Sequence, residues 1–303
     1  MLDICLLGNG GTMPIPNRWL TSMIASYLGK LILIDCGEGT QIPLKRLGWG
    51  LKAIEAICFT HYHADHVVGL PGLLLTIGNS GRTEPLTLIG PTGLNEVIRG
   101  LTVIAPNLPY ELHLIELPLD KIQTVKINHL IIHALPVEHT IPCLAYTLEV
   151  KRGRKFNPEK AKKNDVPLEF WKKLQKEEEV YFEGKHFTPD MVLDEPRKGL
   201  KVAYCTDTRP TDDLIEFVRD ADLLIAEGMY GSDAYFHKAE EHKHMLFSEA
   251  ATLAKNGQVK ELWLTHFSPS LTNPEDFLED TQTIFPNTKL GEDLLTKSLF
   301  FTS

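Results

Sequence analysis

The feature that most constrains this chain is a run of metal-binding side chains directly after an apolar segment. Residues 58–66 read Cys-Phe-Thr-His-Tyr-His-Ala-Asp-His and overlap the end of the strand-like run 54–59. The donors therefore lie in a loop at a strand end, where a rigid backbone can direct several of them to one point. A lone histidine is usually a surface or core residue, but four close donors after a buried strand predict a metal site.

The number of donors indicates two metal ions. His61 and His63 alternate and so can point to the same side, whereas Asp65 and His66 can serve a neighbouring ion. Further donors end three other apolar runs, at His139, Asp207 and His266. If Asp207 bridges, these five histidines and two aspartates complete two four- or five-coordinate sites.

The rest of the chain alternates short apolar strands with amphipathic helices. Strands are predicted at 31–35, 54–59, 86–89, 201–205, 223–225 and 262–264. Helices are predicted at 211–219, at 247–255 with a stop at Gly257, and after Asn273-Pro274. This pattern predicts an α/β protein whose sheets are covered by helices and whose sites lie where strands end in loops. Similarity between the two halves of the chain is not visible in the sequence.

Length and composition predict one folded domain with an insertion. The 303 residues are 43% hydrophobic and 23% charged, which is ordinary for a globular protein. The segment from about 151 to 198 is rich in charge and poor in strand-like runs, so we expect a projecting arm there within a single domain, 1–303. Five scattered cysteines without C-x-x-C spacing predict neither a disulfide framework nor a thiolate zinc site.

Charge and hydropathy restrict the partners. A net charge of −9 argues against indiscriminate nucleic-acid binding, so a polyanionic substrate would need a local basic patch. The N-terminus lacks a basic lead, and nothing approaches a run of about eighteen apolar residues. We therefore expect a cytoplasmic protein without a membrane partner.

The ligand pattern resembles that of a known superfamily. The motif at 61–66, a later histidine, Thr-Asp-Thr at 206–208 and Thr-His at 265–266 resemble the metallo-β-lactamase superfamily, and more narrowly the ribonuclease Z family. Segments 35–41, 69–73, 89–91 and 264–268 also match, so the likeness spans nearly the whole chain. It implies an αββα sandwich, two packed β-sheets flanked by helices.

The resemblance also implies an activity. Ribonuclease Z enzymes are zinc phosphodiesterases, usually homodimers, that remove 3′ trailers from transfer RNA precursors by a metal-bridged hydroxide. Carried over, it assigns one zinc to His61, His63 and His139, the second to Asp65, His66 and His266, and the bridge to Asp207. Mn²⁺ and Fe²⁺ also suit such donors.

The resemblance extends to proton transfer. Asp65 would orient the attacking water or accept its proton. His244, 22 positions before the last histidine ligand, would serve the leaving oxygen with Glu227 as its partner. His237 and His242 remain alternatives to His244, because all three are close in sequence.

Contact with RNA is expected from basic residues. Candidates are Arg18 and, in the arm, Lys151, Arg152, Arg154 and Lys155. The alternative is that the arm's basic run belongs to a solvated face of mixed charge, since acidic residues follow it. The sequence departs from the family pattern at Ala226, Gly228, Met229 and Leu246, in a 14–19 loop without lysine, and in an arm without the Gly-Pro element.

These departures leave two rival functions open. One keeps the metal chemistry but acts on small or cyclic nucleotides, or is another hydrolase of the superfamily, and would cleave a chromogenic phosphodiester but no transfer RNA precursor. The other is a non-catalytic RNA-binding protein, which would bind RNA without turnover. The complete ligand set argues against the second.

Overall fold

The computed structural model describes residues 1–302. The strands are β1 Leu2–Gly8, β2 Ser22–Tyr27, β3 Lys30–Ile34, β4 Ile54–Cys58, β5 Leu86–Pro91, β6 Leu112–Leu117, β7 Gln123–Ile127, β8 Leu130–Val137, β9 Cys143–Arg152, β10 Val180–Phe182, β11 Lys185–Phe187, β12 Arg197–Cys205, β13 Leu223–Glu227, β14 Leu262–Thr265, β15 Thr288–Leu290 and β16 Leu295–Leu299. All six predicted strands are present, as β3, β4, β5, β12, β13 and β14.

The helices lie between these strands. They are α1 Gln41–Leu47, α2 Ala64–Val67, α3 Leu70–Asn79, α4 Leu94–Thr102, α5 Pro158–Lys163, α6 Leu168–Gln175, α7 Asp212–Val218, α8 Phe236–His242, α9 Phe247–Asn256 and α10 Leu278–Ile284. Short 3-10 turns occupy Leu51–Ala53, Pro189–Met191, Asp233–Tyr235 and Pro274–Phe277. The predicted helix boundaries are confirmed where Thr211 caps α7 through its side chain and Gly257 ends α9.

Two seven-stranded sheets form the centre of the fold. The first has the order β16-β1-β2-β3-β4-β5-β6 and the second β15-β14-β13-β12-β9-β8-β7. An apolar core joins the first sheet to α1, α3 and α4, and another joins the second sheet to α7 and α9. The Tyr146 hydroxyl donates to the Phe59 carbonyl at 2.7 Å, linking the inner faces of the two sheets. The predicted αββα sandwich is thus confirmed.

The two sheets repeat one strand arrangement that the sequence does not reveal. In each, antiparallel strands lead into four parallel ones, β3-β4-β5-β6 in the first sheet and β12-β13-β14-β15 in the second. Parallel strands all end at the same edge of their sheet. The loops after β3, β4, β12, β13 and β14 are therefore grouped at two sheet edges.

The chain divides into two compact units. One comprises 1–150 and 200–300, and the other Lys151–Gly199 with the chain end from Phe301. The second unit contains α5, α6 and the β10–β11 hairpin around its own apolar core, which includes Phe170, Leu174 and Phe187. That this segment is an arm inserted into one domain stays a prediction.

The cysteines lie in the interior of the fold. All five are unpaired and buried, so they serve as small core residues. Within residues 1–302, no helix is both long and apolar enough to cross a bilayer.

Candidate metal centre

The first group of predicted ligands meets at the ends of β4, β8 and β12. His63 Nδ1 lies 2.9 Å from His61 Nε2 and 3.2 Å from His139 Nε2. Asp207 Oδ2 is 3.7 Å from His61 Nε2 and 3.8 Å from His139 Nε2. These four donor atoms lie within 4.8 Å of one another.

The second group lies beside the first. His66 Nε2 is 3.2 Å from His266 Nε2, and Asp65 Oδ2 is 3.5 Å and 3.4 Å from these two nitrogens. Asp207 Oδ1 is 3.3 Å from each of the same nitrogens. The two oxygens of Asp207 therefore face different groups of ligands.

The spacing of these atoms fits divalent metal ions. Bonds of about 2.0–2.1 Å in a tetrahedral site put neighbouring donors roughly 3.3 Å apart. Among the described residues, the buried Oδ1 of Asp207 has no hydrogen-bond partner. Such an atom is costly unless a cation or donor satisfies it. A metal ion would thus satisfy the unpaired carboxylate oxygen and bind the converging histidine nitrogens.

Protonation states also suit metal binding. Burial lowers the pKa of His61 well below its usual value and that of His139 to about 4, which favours the neutral imidazole that ligates metals. Burial alone would raise the pKa of Asp207, but the neighbouring histidines outweigh it and keep the carboxyl ionised. His66 differs, because burial opposes its charge but Asp207 and two further carboxylates raise its pKa, so a metal ion would have to displace the proton on Nε2.

A carboxylate that sequence reasoning did not assign to the site orients His66. Asp35 follows β3 and is fully buried. It accepts from His66 Nδ1 at 2.8 Å, from the Thr60 amide at 2.8 Å and from the Thr60 hydroxyl at 2.9 Å. Because Nδ1 donates to Asp35, the lone pair of His66 Nε2 points to the other ligands. The sequence signal that could have identified Asp35 is the position of an acidic residue directly after a buried strand.

Three residues of the site have unusual backbone angles. Asp35, Asp207 and His266, which follow β3, β12 and β14, have φ values of +62°, +56° and +57°. For residues other than glycine, such angles cost of order 1–3 kcal/mol each and concentrate at functional sites. The turns direct these side chains into the cluster.

Two glycines allow the loop after β3 to pack against the segment that carries Asp65 and His66. A Cβ on Gly69 would lie 1.9 Å from the Gly37 carbonyl oxygen, and one on Gly37 would lie 2.0 Å from the Asp65 carbonyl oxygen. This approach lets the Cys36 amide donate to the His66 carbonyl at 2.7 Å. The Thr12 amide then donates to Asp65 Oδ2 at 2.7 Å and fixes that carboxylate.

The expected proton donor, His244, and its partner Glu227 lie next to the metal ligands. Glu227 ends β13, is fully buried, and accepts from His244 Nδ1 at 2.8 Å and from the Thr208 amide at 2.6 Å. Burial opposes charge on His244, but Glu227 outweighs it and raises the histidine's pKa to about 9. Of the two alternatives, His242 lines the cavity beside the cluster, and His237 is exposed with its ring against Phe236.

Arg209 is a second residue that the sequence did not single out. Its guanidinium donates to the His244 carbonyl and to both carboxylate oxygens of Glu249, and only 9% of Arg209 is exposed. Glu249 in turn accepts from the Leu246 amide at the start of α9. Arg209 thus joins the loop after β12 to the segment that carries His244.

A cavity of about 450 Å³ opens beside the cluster. His63, His139 and His244 line it together with Thr12, Tyr230 and Lys238. Two of the seven ligands, His63 and His139, therefore face a space that a substrate can enter.

The predicted RNA-binding residues differ in their environments. Arg18 donates to the carbonyls of Ser268 and Leu271 at 3.4 Å and 3.2 Å. In the second unit, Arg154 pairs with Asp190 at 2.7 Å and its side chain is 16% exposed. Arg152 donates to the Thr302 carbonyl, whereas Lys151 and Lys155 are exposed. Their role in RNA binding stays a prediction.

The two-sheet sandwich with a His/Asp cluster at its strand ends defines a metal-dependent hydrolase of the metallo-β-lactamase superfamily. A family model described as a beta-lactamase superfamily domain matches residues 182–267, and one described as anti-Pycsar protein Apyc1 matches residues 2–100. YhfI from Bacillus subtilis has the same fold, with a TM-score of 0.71, 19% identity and coverage of 98% of this chain and 100% of that one.

Closer relatives narrow the assignment. The ribonuclease Z of Clostridium kluyveri is 58% identical and that of Clostridium acetobutylicum 57%, each over 99% of both chains. The short form of human tRNase Z has a TM-score of 0.70 at 25% identity, over 98% of both chains. This chain belongs to the ribonuclease Z family, and the predicted class of metal-dependent endonuclease is confirmed. The departures at Ala226, Gly228, Met229 and Leu246 do not take it outside the family.

Proposed function

We propose that this protein removes 3′ trailers from transfer RNA precursors, with two Zn²⁺ ions held in each subunit. His61, His63 and His139 would hold one ion, Asp65, His66 and His266 the other, and Asp207 would bridge them. The observation that carries the proposal is that the two oxygens of Asp207 face two different groups of donors, at 3.7–3.8 Å and 3.3 Å. A bridging carboxylate is the simplest use of that arrangement.

The ions would supply electrostatic stabilisation of the phosphodiester and a water of lowered pKa. The protein's own residues then determine proton movements. Asp65, held by the Thr12 amide, is placed to orient the water or accept its proton. His244 uses Nδ1 to bond Glu227, which leaves Nε2 to donate a proton to the leaving 3′ oxygen. The products would be an RNA with a 3′-hydroxyl and a trailer with a 5′-phosphate.

The substrate assignment rests on relatives and on the second unit. The curated relatives are named ribonuclease Z, and the similar human structure is a tRNase Z. The exposed Lys151 and Lys155 lie on the segment with the densest positive charge of an acidic chain. We assign phosphate contact to these two lysines, since Arg154 is paired with Asp190.

We also propose that the protein is a homodimer. Ile42 on α1, Leu75 on α3 and Val68 just before α3 are apolar and 43–50% exposed. A Cβ on Gly72 would lie 3.4 Å from Gln41, so α1 and α3 are in contact. Apolar side chains on two neighbouring helices are typical of a subunit interface. Ile42→Glu with Leu75→Glu should yield monomers in light scattering, whereas Leu28→Glu, at a 69% exposed turn residue, should not.

The five unpaired cysteines are typical of a reducing compartment, so we place the enzyme in the cytoplasm. Metal analysis of purified protein should find two zinc ions per subunit. A single ion, or preferential retention of manganese or iron, would contradict this part of the proposal.

The deciding experiment is cleavage of a transfer RNA precursor with a 3′ trailer, with both product ends mapped. Wild type is compared with Asp65→Ala, His244→Ala and the control His113→Ala, whose side chain is 58% exposed on β6. Loss of cutting in the first two variants alone is expected. If wild type hydrolyses a small phosphodiester but not the precursor, the substrate proposal is wrong. If His237→Ala loses activity and His244→Ala keeps it, the proton donor is misassigned.

A further inference from the structure

We propose that Tyr230, Tyr235 and Lys238 form a binding subsite for one RNA nucleotide, the one that bears the leaving 3′ oxygen. The inference rests on the proposed function and adds to it a place where a single unpaired base is held. Tyr235 would stack on the base, and Lys238 would bind the backbone phosphate next to it.

The subsite continues the cavity beside the metal centre. A second cavity of about 170 Å³ shares the residues Tyr230 and Ser270 with the 450 Å³ cavity that His63, His139 and His244 line. Tyr235 and Phe277 form much of the aromatic lining of this second cavity. A strand of RNA whose phosphate reaches the metal ligands therefore has adjoining space for a neighbouring base.

The aromatic rings are arranged as a stacking surface. Tyr230 and Tyr235 have ring centroids 5.7 Å apart and planes inclined by 30°. Tyr230 is 7% exposed, whereas Tyr235 is 51% exposed, so the inner ring supports an outer ring that remains accessible. Proteins bind unpaired bases on such aromatic side chains, because every base has a π face.

Lys238 adds the charge that a phosphate needs. It is the single lysine or arginine among the described residues that line the 450 Å³ cavity. Its ammonium lies 5.2 Å from the centroid of the Tyr230 ring, so the cation is held beside the stacking surface. In a chain with a net charge of −9, a cation at this position favours the polyanion locally.

The backbone determines which nucleotide is held. Tyr230 forms a bridge with Leu246, and its carbonyl accepts from the Phe247 amide at 3.1 Å. The Met229 amide donates to the Met245 carbonyl at 3.1 Å, so this segment runs beside the one that carries His244. Because His244 would serve the leaving 3′ oxygen, the subsite lies on that side of the scissile phosphate.

The test combines a protein variant with a modified RNA. We compare wild type, Tyr235→Ala and Tyr235→Phe on a precursor, and on precursors with an abasic nucleotide on one or the other side of the cut. A stacked base contributes roughly 1–3 kcal/mol, so KM should rise about tenfold in Tyr235→Ala with little change in kcat, and Tyr235→Phe should behave as wild type.

The abasic RNA identifies the nucleotide. When the base that precedes the cut is missing, Tyr235→Ala should cause no further loss. When the base that follows the cut is missing, the tenfold loss should persist. If the variant loses activity equally on all three RNAs, Tyr235 does not stack on the preceding base and the proposal is wrong. Metal content and thermal unfolding verify that each variant is folded.

Lys238 is tested through the salt dependence of RNA binding. Lys238→Met should weaken binding and reduce the slope of log affinity against log salt by about 0.7, the value for one phosphate of a single strand. Lys126→Met, which removes an exposed lysine of β7, is the matched control and should leave the slope unchanged. An unchanged slope in Lys238→Met overturns the phosphate contact. If wild type cleaves no RNA, the proposed function fails first; if it cleaves and neither variant differs, only the subsite fails.

Discussion

The substitution Asp35→Asn tests how the fold prepares one half of the metal centre. Asp35 accepts hydrogen bonds from three donors, His66 Nδ1, the Thr60 amide and the Thr60 hydroxyl. Asparagine has almost the same shape but offers a single acceptor oxygen and an NH₂ group in place of the other. The Thr60 hydroxyl can rotate to accept from that group, and His66 Nδ1 can accept only if its proton moves to Nε2, but the Thr60 amide cannot accept.

The expected loss of metal affinity follows from which of these donors keeps an acceptor. If the amide oxygen faces Thr60, the NH₂ group meets His66 Nδ1 and favours the tautomer whose proton sits on Nε2, where the metal should bind. If the oxygen faces His66, the buried Thr60 amide loses its acceptor, at a cost of about 1–3 kcal/mol. Removing such a partner of a ligand typically lowers metal affinity about 10–100-fold. We expect that loss for the ion held by Asp65, His66 and His266.

The assay is zinc competition with a chelator of known affinity, which resolves two binding steps. One step should weaken about 10–100-fold and the other should stay within about twofold. Asp293→Asn is the control, because it makes the same substitution at a carboxylate that accepts from the Trp19 amide, at 3.2 Å, and not from a metal ligand. Burial raises the pKa of Asp293 to about 6. Two ions bound with wild-type affinity by Asp35→Asn would refute the reasoning.

Three further outcomes are expected. Glu227 raises the pKa of His244 to about 9, so the histidine stays protonated below that pH. Glu227→Gln should therefore move the alkaline limb of the pH profile of kcat to lower pH. An unmoved limb would show that Glu227 does not keep His244 protonated. A chelator should lower the thermal unfolding midpoint, since metal at about 100 times its Kd adds about 2.7 kcal/mol to stability; an unchanged midpoint argues against bound metal. Gly69→Ala should abolish metal binding or folding, because its Cβ would meet the Gly37 oxygen at 1.9 Å, whereas Gly100→Ala, with open space around it, should bind metal normally.

Much of the ligand set was predictable because it depends on short stretches of sequence. His61, His63, Asp65 and His66 lie within six residues, and each remaining ligand directly follows an apolar run or lies two residues beyond one. Strand ends converge at a sheet edge whatever the details of packing. Residue type and position relative to strands therefore indicate the cluster from the sequence alone.

Other residues of the site could not be found in this way, because their roles depend on contacts between distant segments. Asp35 contacts His66 across 31 residues, and His66 approaches His266 across 200. Sequence spacing favoured His244 over His237 and His242, but the 2.8 Å bond to Glu227 is what distinguishes it physically. Nothing in the sequence indicates the role of Arg209, since an arginine after Asp-Thr is expected to be an ordinary surface cation.

The sequence by itself determined an α/β fold and the presence of a His/Asp cluster, because apolar runs and clustered donors are local properties. The sandwich of two sheets was implied by the resemblance to the ribonuclease Z family. The tertiary structure decided which oxygen of Asp207 faces which histidines, which histidine is paired with Glu227, and that Tyr235 and Lys238 adjoin the metal cavity. Those facts depend on the side-chain directions of segments that only folding brings within a few ångströms of one another.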